Sequence, residues 1–201
     1  MRGVEQIPWL YDGLCAVMER TGLAPFRRWI AAGARGRTLD VGCGTGRGLR
    51  FYGPGVQVVG IDPARASLAR AARRISGSRL VQASAEALPF REGVFDTVVS
   101  SFVFCSVPDP ARGLAEVKRV LRPGGQMRML EHVRSRRQWK AAFQDRVQPL
   151  WTRLSGGCRP NRETERLVEA SGFVIDTEER LEQADLRRFS ARPANPRSVR
   201  A

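Results

Sequence analysis

The sequence predicts an α/β fold: a Rossmann-like, doubly wound, mostly parallel sheet of seven strands, with helices on both faces and an N-terminal helical cap. Short apolar segments alternate with segments of helical periodicity between residues 38 and 130, a pattern typical of a parallel sheet covered on both faces. The segment Val56–Ile61 is almost continuously apolar, as in a strand buried on both sides. The 201 residues, 42% of them hydrophobic, suffice for one core without disulfide or metal support.

The N-terminal segment is predicted to be helical over residues 5–32, because Ile7, Leu10 and Leu14 recur at helical spacing on one face. This segment defines the cap, residues 1–33. The following strands are predicted from apolar runs that end in turn residues: Thr38–Val41, Val56–Ile61, Arg79–Ala83, Phe95–Phe102 and Gln126–Leu130.

Two helices are predicted between these strands, at Ala64–Ile75 and at Asp109–Leu121. Asp109 is the expected N-cap of the second one, with a proline at its first helical position. The sequence Pro123–Gly125 is expected to turn the chain into the fifth strand.

The C-terminal third is predicted to contain helices at residues 136–154 and 161–171, the second one ended by Gly172. Strands are expected at Phe173–Thr177 and near Leu186–Ala191. The main domain thus spans residues 34–192, and residues 193–201 form a frayed tail.

The charge balance is strongly basic, with 34 Lys and Arg against 20 Asp and Glu, a net charge of +14. Such a chain favours anionic partners, so peripheral contact with an anionic membrane is left open, and so is the oligomeric state. A single histidine and four cysteines without a CxxC pair predict no metal site. The sequence shows neither a secretory signal nor an apolar run of about 20 residues, so we expect a cytoplasmic protein.

The strongest chemical signal is the sequence DVGCGTG at Asp40–Gly46, which follows a predicted strand and is expected to open a helix. Its glycines permit a sharp turn and a close approach of the backbone to a ligand. The free N–H groups of the expected helix would face an anionic group. Asp62 ends the next strand, where a carboxylate can accept hydrogen bonds from both ribose hydroxyls. Together these residues predict a site for a nucleoside that carries a zwitterionic chain.

Two cofactor classes compete for this site: a nicotinamide or flavin dinucleotide, and S-adenosylmethionine. The dinucleotide fingerprint is GxGxxG, and here Arg47 stands where its third glycine would be. The glycines instead occupy positions 42, 44 and 46, in the DxGxGxG form that class I S-adenosylmethionine-dependent methyltransferases use.

Five motifs in order resemble class I methyltransferases of the type 11 group: Thr38–Gly46, Val59–Pro63, Ala85–Phe90, Phe95–Ser101 and Glu116–Gly125. A narrower resemblance extends beyond them. It points to the microsomal thiol S-methyltransferase branch, whose bacterial relatives include phospholipid N-methyltransferases, and rests on Gly44–Gly55, Phe104–Val107, Leu130–Val133, Trp139 and Gly157–Arg162.

The resemblance implies S-adenosylmethionine as cofactor and assigns a role to each matching position. Asp40 would face the methionyl amino group, Asp62 would hold the ribose, and Ser101 would lie beside the sulfonium. Ser84 stands where relatives carry an adenine-binding aspartate, so adenine recognition is expected to rest on the Ala85 backbone. The full predicted cofactor set is Asp40, Gly42, Cys43, Gly44, Gly46, Asp62, Pro63, Ser84, Ala85 and Ser101.

The acceptor is expected to be a small or lipophilic molecule: a thiol first, then a phospholipid amine or a quinone-ring carbon. His132 follows the fifth strand and is the candidate general base, with a positioning role as the alternative. The second hypothesis is a basic nucleic-acid-binding or RNA-modifying protein on the same fold. Nucleic acid is disfavoured as a partner, because Ser100–Val103 replaces the Asn/Asp-Pro-Pro-aromatic tetrad of base-amine methyltransferases.

Overall fold

The computed structural model describes residues 23–75 and 79–194. Its helices are α1 (Ala24–Ala32), α2 (Arg65–Arg74), α3 (Pro110–Val120), α4 (Gln138–Ser155) and α5 (Thr164–Ala170). Its strands are β1 (Arg37–Val41), β2 (Gln57–Asp62), β3 (Arg79–Gln82), β4 (Phe95–Ser101), β5 (Leu121–His132), β6 (Phe173–Ile175), β7 (Leu181–Gln183) and β8 (Leu186–Pro193).

The strands form one sheet in the order β3-β2-β1-β4-β5-β8-β6, with β7 paired to β8. The pairings from β3 to β5 are parallel, whereas β8 runs antiparallel to its neighbours. The predicted Rossmann-like, mostly parallel sheet is therefore confirmed, with one strand more than the seven expected. The additional strand β7 has only exposed residues and hence no apolar alternation that a sequence could reveal.

The two faces of the sheet carry separate apolar clusters, because alternate residues of a strand point to opposite sides. Val98 and Met127 pack on the side of α3, where Leu114 and Val117 are completely buried. On the other side α1 packs its Phe26 and Ile30 against Val99 and Leu130 of the central strands. Helix α1 is the described part of the predicted cap; Ile7, Leu10 and Leu14 lie outside the described residues.

The helix expected directly after the glycine-rich turn is absent, so that prediction was wrong. The chain between β1 and β2 forms only a 3-10 turn at Leu49–Phe51. Gly42, Gly44 and Gly46 all have positive φ, and further glycines follow at 48, 53 and 55. Glycine is a poor helix former, so no stretch here is long enough for an α-helix. A ligand at this turn would therefore meet the backbone of the turn itself and not the positive end of a following helix.

The segment Pro123–Gly125 was also predicted wrongly, as a turn that precedes the fifth strand. Strand β5 already begins at Leu121, which pairs with Phe95, and the register then shifts so that Gln126 pairs with Thr97. The proline and two glycines form an irregularity within the strand, because Gly124 takes a φ of +79°. The predicted N-cap of α3 is confirmed, since the Asp109 carboxylate accepts the Arg112 N–H at 3.0 Å.

None of the described helices combines the length and the apolar composition that crossing a bilayer requires.

Candidate functional site

A cleft opens at the carboxyl ends of β1 and β4, the edge where open α/β sheets bind ligands. It brings together half of the predicted cofactor residues with four that the sequence analysis did not assign to cofactor binding. The lining residues are Arg27, Asp40, Gly42, Cys43, Gly44, Thr45, Arg47, Gly48 and Ser101. Within the described part of the chain, the buried Ser101 hydroxyl has no hydrogen-bond partner, so its oxygen is available to a ligand.

Asp40 provides the acidic group of the cleft. Its buried carboxylate accepts a hydrogen bond from the Tyr52 hydroxyl at 3.0 Å. Burial raises the pKa of Asp40 to about 7, against the opposing effects of the Tyr52 hydrogen bond and the Arg27 charge. A cation placed beside this carboxylate would lower its pKa again and would be attracted in turn.

Arg27 of α1 provides the basic group, and sequence reasoning missed it. Its side chain is buried in the same cleft, close enough to Asp40 to lower the pKa of that carboxyl. In the sequence Arg27 is one of many arginines, and only the packing of α1 over the sheet distinguishes it. The cleft thus offers both a carboxylate and a guanidinium, the complement of a zwitterionic group.

The glycine-rich turn shapes the wall of the cleft. At Gly42, with a φ of +66°, an added Cβ would lie 2.4 Å from Val103 Cγ2, so only glycine fits. At Gly44, with a φ of +54°, a Cβ would meet nothing within 4 Å and would project into the open cleft. Gly46 has another role, because its Cβ position lies 2.9 Å from the Ala71 Cβ of α2. It permits helix packing and does not line the cleft.

Asp62 ties the turn to the end of β2. Its Oδ2 accepts the Gly44 N–H at 3.0 Å and its Oδ1 accepts the Ala64 N–H at 2.8 Å. Burial raises the pKa of Asp62, while these two hydrogen bonds lower it. Each carboxylate oxygen retains a further acceptor site for a ribose hydroxyl. The neighbouring Pro63 carbonyl accepts a hydrogen bond from the Gln82 amide.

Ser84 and Ala85, the predicted adenine residues, lie in a tight turn after β3. The Ser84 hydroxyl donates to Glu86 Oε2 at 2.8 Å, and Ala85 is buried. Glu86 also accepts the Asp109 N–H at 2.8 Å, which fixes the turn to the start of α3. Because the hydroxyl is engaged by Glu86, adenine recognition through the backbone remains the prediction for this segment.

A buried glutamate fixes the loop of residues 102–107, which follows β4. Glu131 Oε1 accepts the N–H groups of Val103 and Phe104 at 3.0 Å, and Oε2 accepts that of Cys105 at 3.2 Å. Burial raises the pKa of Glu131, and the backbone hydrogen bonds oppose that rise. From the other side, Arg162 donates to the Phe104 and Val107 carbonyls. Glu131 and Arg162 both lie in segments on which the family resemblance rests, but the sequence did not reveal that they hold this loop in place.

His132 lies at the same edge of the sheet but outside the lining of the cleft. Its ring packs against the Phe102 ring with centroids 4.6 Å apart and an angle of 36° between the planes, and the register pairs the neighbouring Ser101 with Leu130. Burial lowers the pKa of His132, against the opposing charge of Asp185. The imidazole is therefore neutral at neutral pH and can accept a proton. Its role as general base stays a prediction.

The cysteines near the site are protonated thiols. Burial, Asp40 and Asp62 all raise the pKa of Cys43. The pKa of Cys105 is raised first by a hydrogen bond with Cys158, and then by burial and by Glu131. Neither thiol has the lowered pKa that a nucleophile requires, so neither Cys43 nor Cys105 is a candidate for covalent catalysis.

These groups fit S-adenosylmethionine. The methionyl amino group is complementary to the Asp40 carboxylate, and the methionyl carboxylate is complementary to the Arg27 guanidinium. The glycine turn leaves space for the chain between these two side chains. Asp62 matches the ribose hydroxyls, and the unpaired Ser101 hydroxyl lies at the end of β4.

Several known proteins similar to this chain are named methyltransferases. A family model described as a methyltransferase domain matches residues 39–129. The human thiol S-methyltransferase TMT1A is 38% identical over 173 residues, which cover 82% of this chain and 70% of that protein. The phosphatidylethanolamine N-methyltransferase of Cereibacter sphaeroides is 40% identical over 117 residues, which cover 54% of this chain and 58% of that protein.

The fold has close counterparts among solved structures. A Thermotoga maritima S-adenosylmethionine-dependent methyltransferase, described as a possible histamine N-methyltransferase, superposes with a TM-score of 0.68. That match covers 94% of this chain and 97% of the other at 18% identity, and so concerns the fold alone. The chain belongs to the S-adenosylmethionine-dependent methyltransferases of the type 11 family, and S-adenosylmethionine is its methyl donor.

Proposed function

We propose that this enzyme transfers the methyl group to a lipophilic thiol. The observation that carries the proposal is the neutral imidazole of His132 beside the Phe102 ring, at the edge of the sheet where Ser101 ends β4. A thiol with a pKa near 8.5 needs only a modest base to become a thiolate. An apolar ring beside that base suits a lipophilic acceptor. The similarity to TMT1A, which is named a thiol S-methyltransferase, supports the same acceptor.

The cofactor supplies an electrophilic methyl group on a sulfonium, and the protein aligns the acceptor with it and excludes water. Asp40 and Arg27 would hold the methionyl group, and the glycine turn would orient it. The loop of residues 102–107 would form the wall towards the acceptor, held rigid by Glu131 and Arg162. The His132 Nε2 or Nδ1 would accept the thiol proton, so that the thiolate is the species that attacks.

The cofactor part of the proposal is tested by calorimetry with S-adenosylhomocysteine. We expect binding by the wild type and a loss of about tenfold or more in Asp62→Ala, which removes the ribose acceptor and releases the Gly44 N–H. The control Asp145→Ala changes an exposed carboxylate that does not line this cleft and should bind normally. Equal binding by wild type and Asp62→Ala would contradict the assignment of Asp62.

The acceptor is tested by measuring S-adenosylhomocysteine release with alkyl thiols of increasing chain length, phosphatidylethanolamine and a quinol. We expect turnover with thiols, rising with chain length. With His132→Asn, the pH profile of kcat/KM should lose the limb that titrates below the ordinary histidine pKa of about 6.5. Turnover with the lipid amine or the quinol alone would overturn the choice of thiol. An unchanged pH profile would assign His132 a positioning role.

A further inference from the structure

Helix α4 presents an apolar face to solvent. Five of the seven large hydrophobic side chains exposed in the described residues belong to it, and Trp139 is 68% exposed. Their spacing of three, four and seven residues, with Trp151 next to Leu150, places them along one side of the helix. We name this set the α4 apolar face: Trp139, Phe143, Leu150, Trp151 and Leu154.

The opposite side of α4 holds the helix in this orientation. Ala141, Gln144 and Ser155 are buried against the rest of the molecule. The Gln144 side chain accepts the Ser135 N–H at 2.8 Å and donates to the Pro160 carbonyl at 3.2 Å. Because α4 already has a packed side, its apolar face is additional to what the fold requires.

The charges around this face are positive. Arg146 and Arg153 are exposed and lie three or four residues from Phe143 and Leu150, hence on the same side of the helix. The residues described by the structure offer neither arginine a carboxylate partner. Asp145, the acidic residue of α4, is turned away to Arg134 and Asn161.

We propose that the α4 apolar face docks on the surface of an anionic phospholipid bilayer. Tryptophan, phenylalanine and leucine side chains would enter the boundary between headgroups and acyl chains, and Arg146 and Arg153 would contact lipid phosphates. A two-fold contact with a second copy would bring the arginines of both copies into one interface, to which the α4 apolar face contributes no carboxylate. A nucleic acid would neutralise the arginines but would leave the leucine side chains in water.

The docking surface is connected to the active site. The Thr152 hydroxyl of α4 donates to the Cys158 carbonyl at 3.0 Å, and the Arg159 N–H donates to the Cys105 carbonyl at 2.9 Å. The helix is thereby tied to the loop of residues 102–107, so docking would hold the acceptor side of the cleft near the bilayer. Docking would favour catalysis only if the acceptor is lipophilic, and that part rests on the proposed function. The docking itself does not depend on the identity of the acceptor.

The test is sedimentation of the full chain with vesicles of phosphatidylcholine alone or mixed equally with phosphatidylglycerol. We expect binding to the anionic vesicles, weaker binding at high salt, and quenching of tryptophan fluorescence by brominated lipid. The variant Phe143→Ser/Leu150→Ser/Leu154→Ser should bind about tenfold or more weakly. The matched control Val174→Ser/Leu181→Ser removes exposed apolar side chains from β6 and β7 and should bind like the wild type.

Four results would overturn the proposal: no binding of the wild type to anionic vesicles, equal binding by the α4 variant, equal binding to neutral and anionic vesicles, or no quenching by brominated lipid. Absence of quenching would mean that another partner covers the face in solution, a second copy or residues 1–22. Sedimentation velocity of the wild type and the variant would then distinguish a second copy from residues 1–22. Calorimetry with S-adenosylhomocysteine compares the folding of the variant with that of the wild type. Absence of binding by the wild type itself would contradict the proposed function and not the docking.

Discussion

The Tyr52 hydroxyl donates a hydrogen bond to the buried carboxylate of Asp40 at 3.0 Å. Tyr52 follows the 3-10 turn that replaces the expected helix, so this short segment reaches back to support the group proposed to bind the methionyl amine. The hydrogen bond only partly offsets burial, and the pKa of Asp40 remains raised to about 7. The carboxyl is thus divided between its two protonation states at neutral pH.

Cofactor binding should therefore depend on pH. The cationic amino group requires ionised Asp40, so affinity for S-adenosylhomocysteine should rise by about fivefold to tenfold between pH 6 and pH 8. Calorimetry at pH 7 in buffers of different ionisation enthalpy should show proton release on binding. Asp40→Asn should bind weakly, with an affinity that does not change over this range. A wild-type affinity equally independent of pH would contradict the amine contact.

The same carboxyl should limit stability at high pH. The folded-state pKa of Asp40 is raised above its ordinary value of 3.8, so stability contributed by this group is lost as pH rises through about 7. Asp40→Asn should match the wild type at about pH 3, below both pKa values, and exceed its melting temperature at pH 8. Asp145 is a suitable control, because Arg134 lowers its pKa and Asp145→Asn should bring no gain at pH 8. A variant less stable than the wild type at pH 8 would contradict the conclusion that burial of the ionised Asp40 carboxylate destabilises the folded protein.

The parts that the sequence predicted well are those encoded by local pattern. Strands β1, β2 and β4 are short segments with apolar residues at their centre, bounded by turn residues, and Asp109 caps α3 through a hydrogen bond within one turn. Arg27 and Tyr52 escaped prediction because their roles depend on where α1 and the 3-10 turn pack, which no spacing in the sequence encodes. Asp40, Gly42 and Gly44 could be identified as candidate site residues because they form a local motif, in which an acidic residue ends a strand and glycines form the tight turn that follows.

Glu131 should be essential for the shape of the site. Glu131→Gln would set an amide, which has one acceptor oxygen and an NH₂ donor, against the N–H groups of residues 103–105. We expect a loss of about 2–4 kcal/mol in the free energy of unfolding and faster hydrogen exchange at these amides. Glu163→Gln, which affects an exposed pair with Arg166, should change stability little. Unchanged exchange at residues 103–105 would show that Glu131 is dispensable for the loop.

Gly42 and Gly44 both take a positive φ, yet replacing them should have different consequences. Gly42→Ala would place a methyl 2.4 Å from the Val103 side chain, in a loop that Glu131 holds in place. Strain and overlap together should cost about 2–5 kcal/mol of unfolding free energy. Gly44→Ala has open space and should cost only the backbone strain, about 1–2 kcal/mol. Its methyl would instead occupy the cleft and weaken S-adenosylhomocysteine binding.

A double-mutant cycle separates the two contributions at Gly42. Val103→Ala removes the Cγ atoms that the new methyl would meet, so in the Gly42→Ala background it should restore the part of the stability lost to overlap. The part due to the φ of +66° should remain. In the Gly44→Ala background the same Val103→Ala change should bring no recovery, because nothing lies within 4 Å of that Cβ position. Equal recovery in both backgrounds would contradict the contact between Gly42 and Val103.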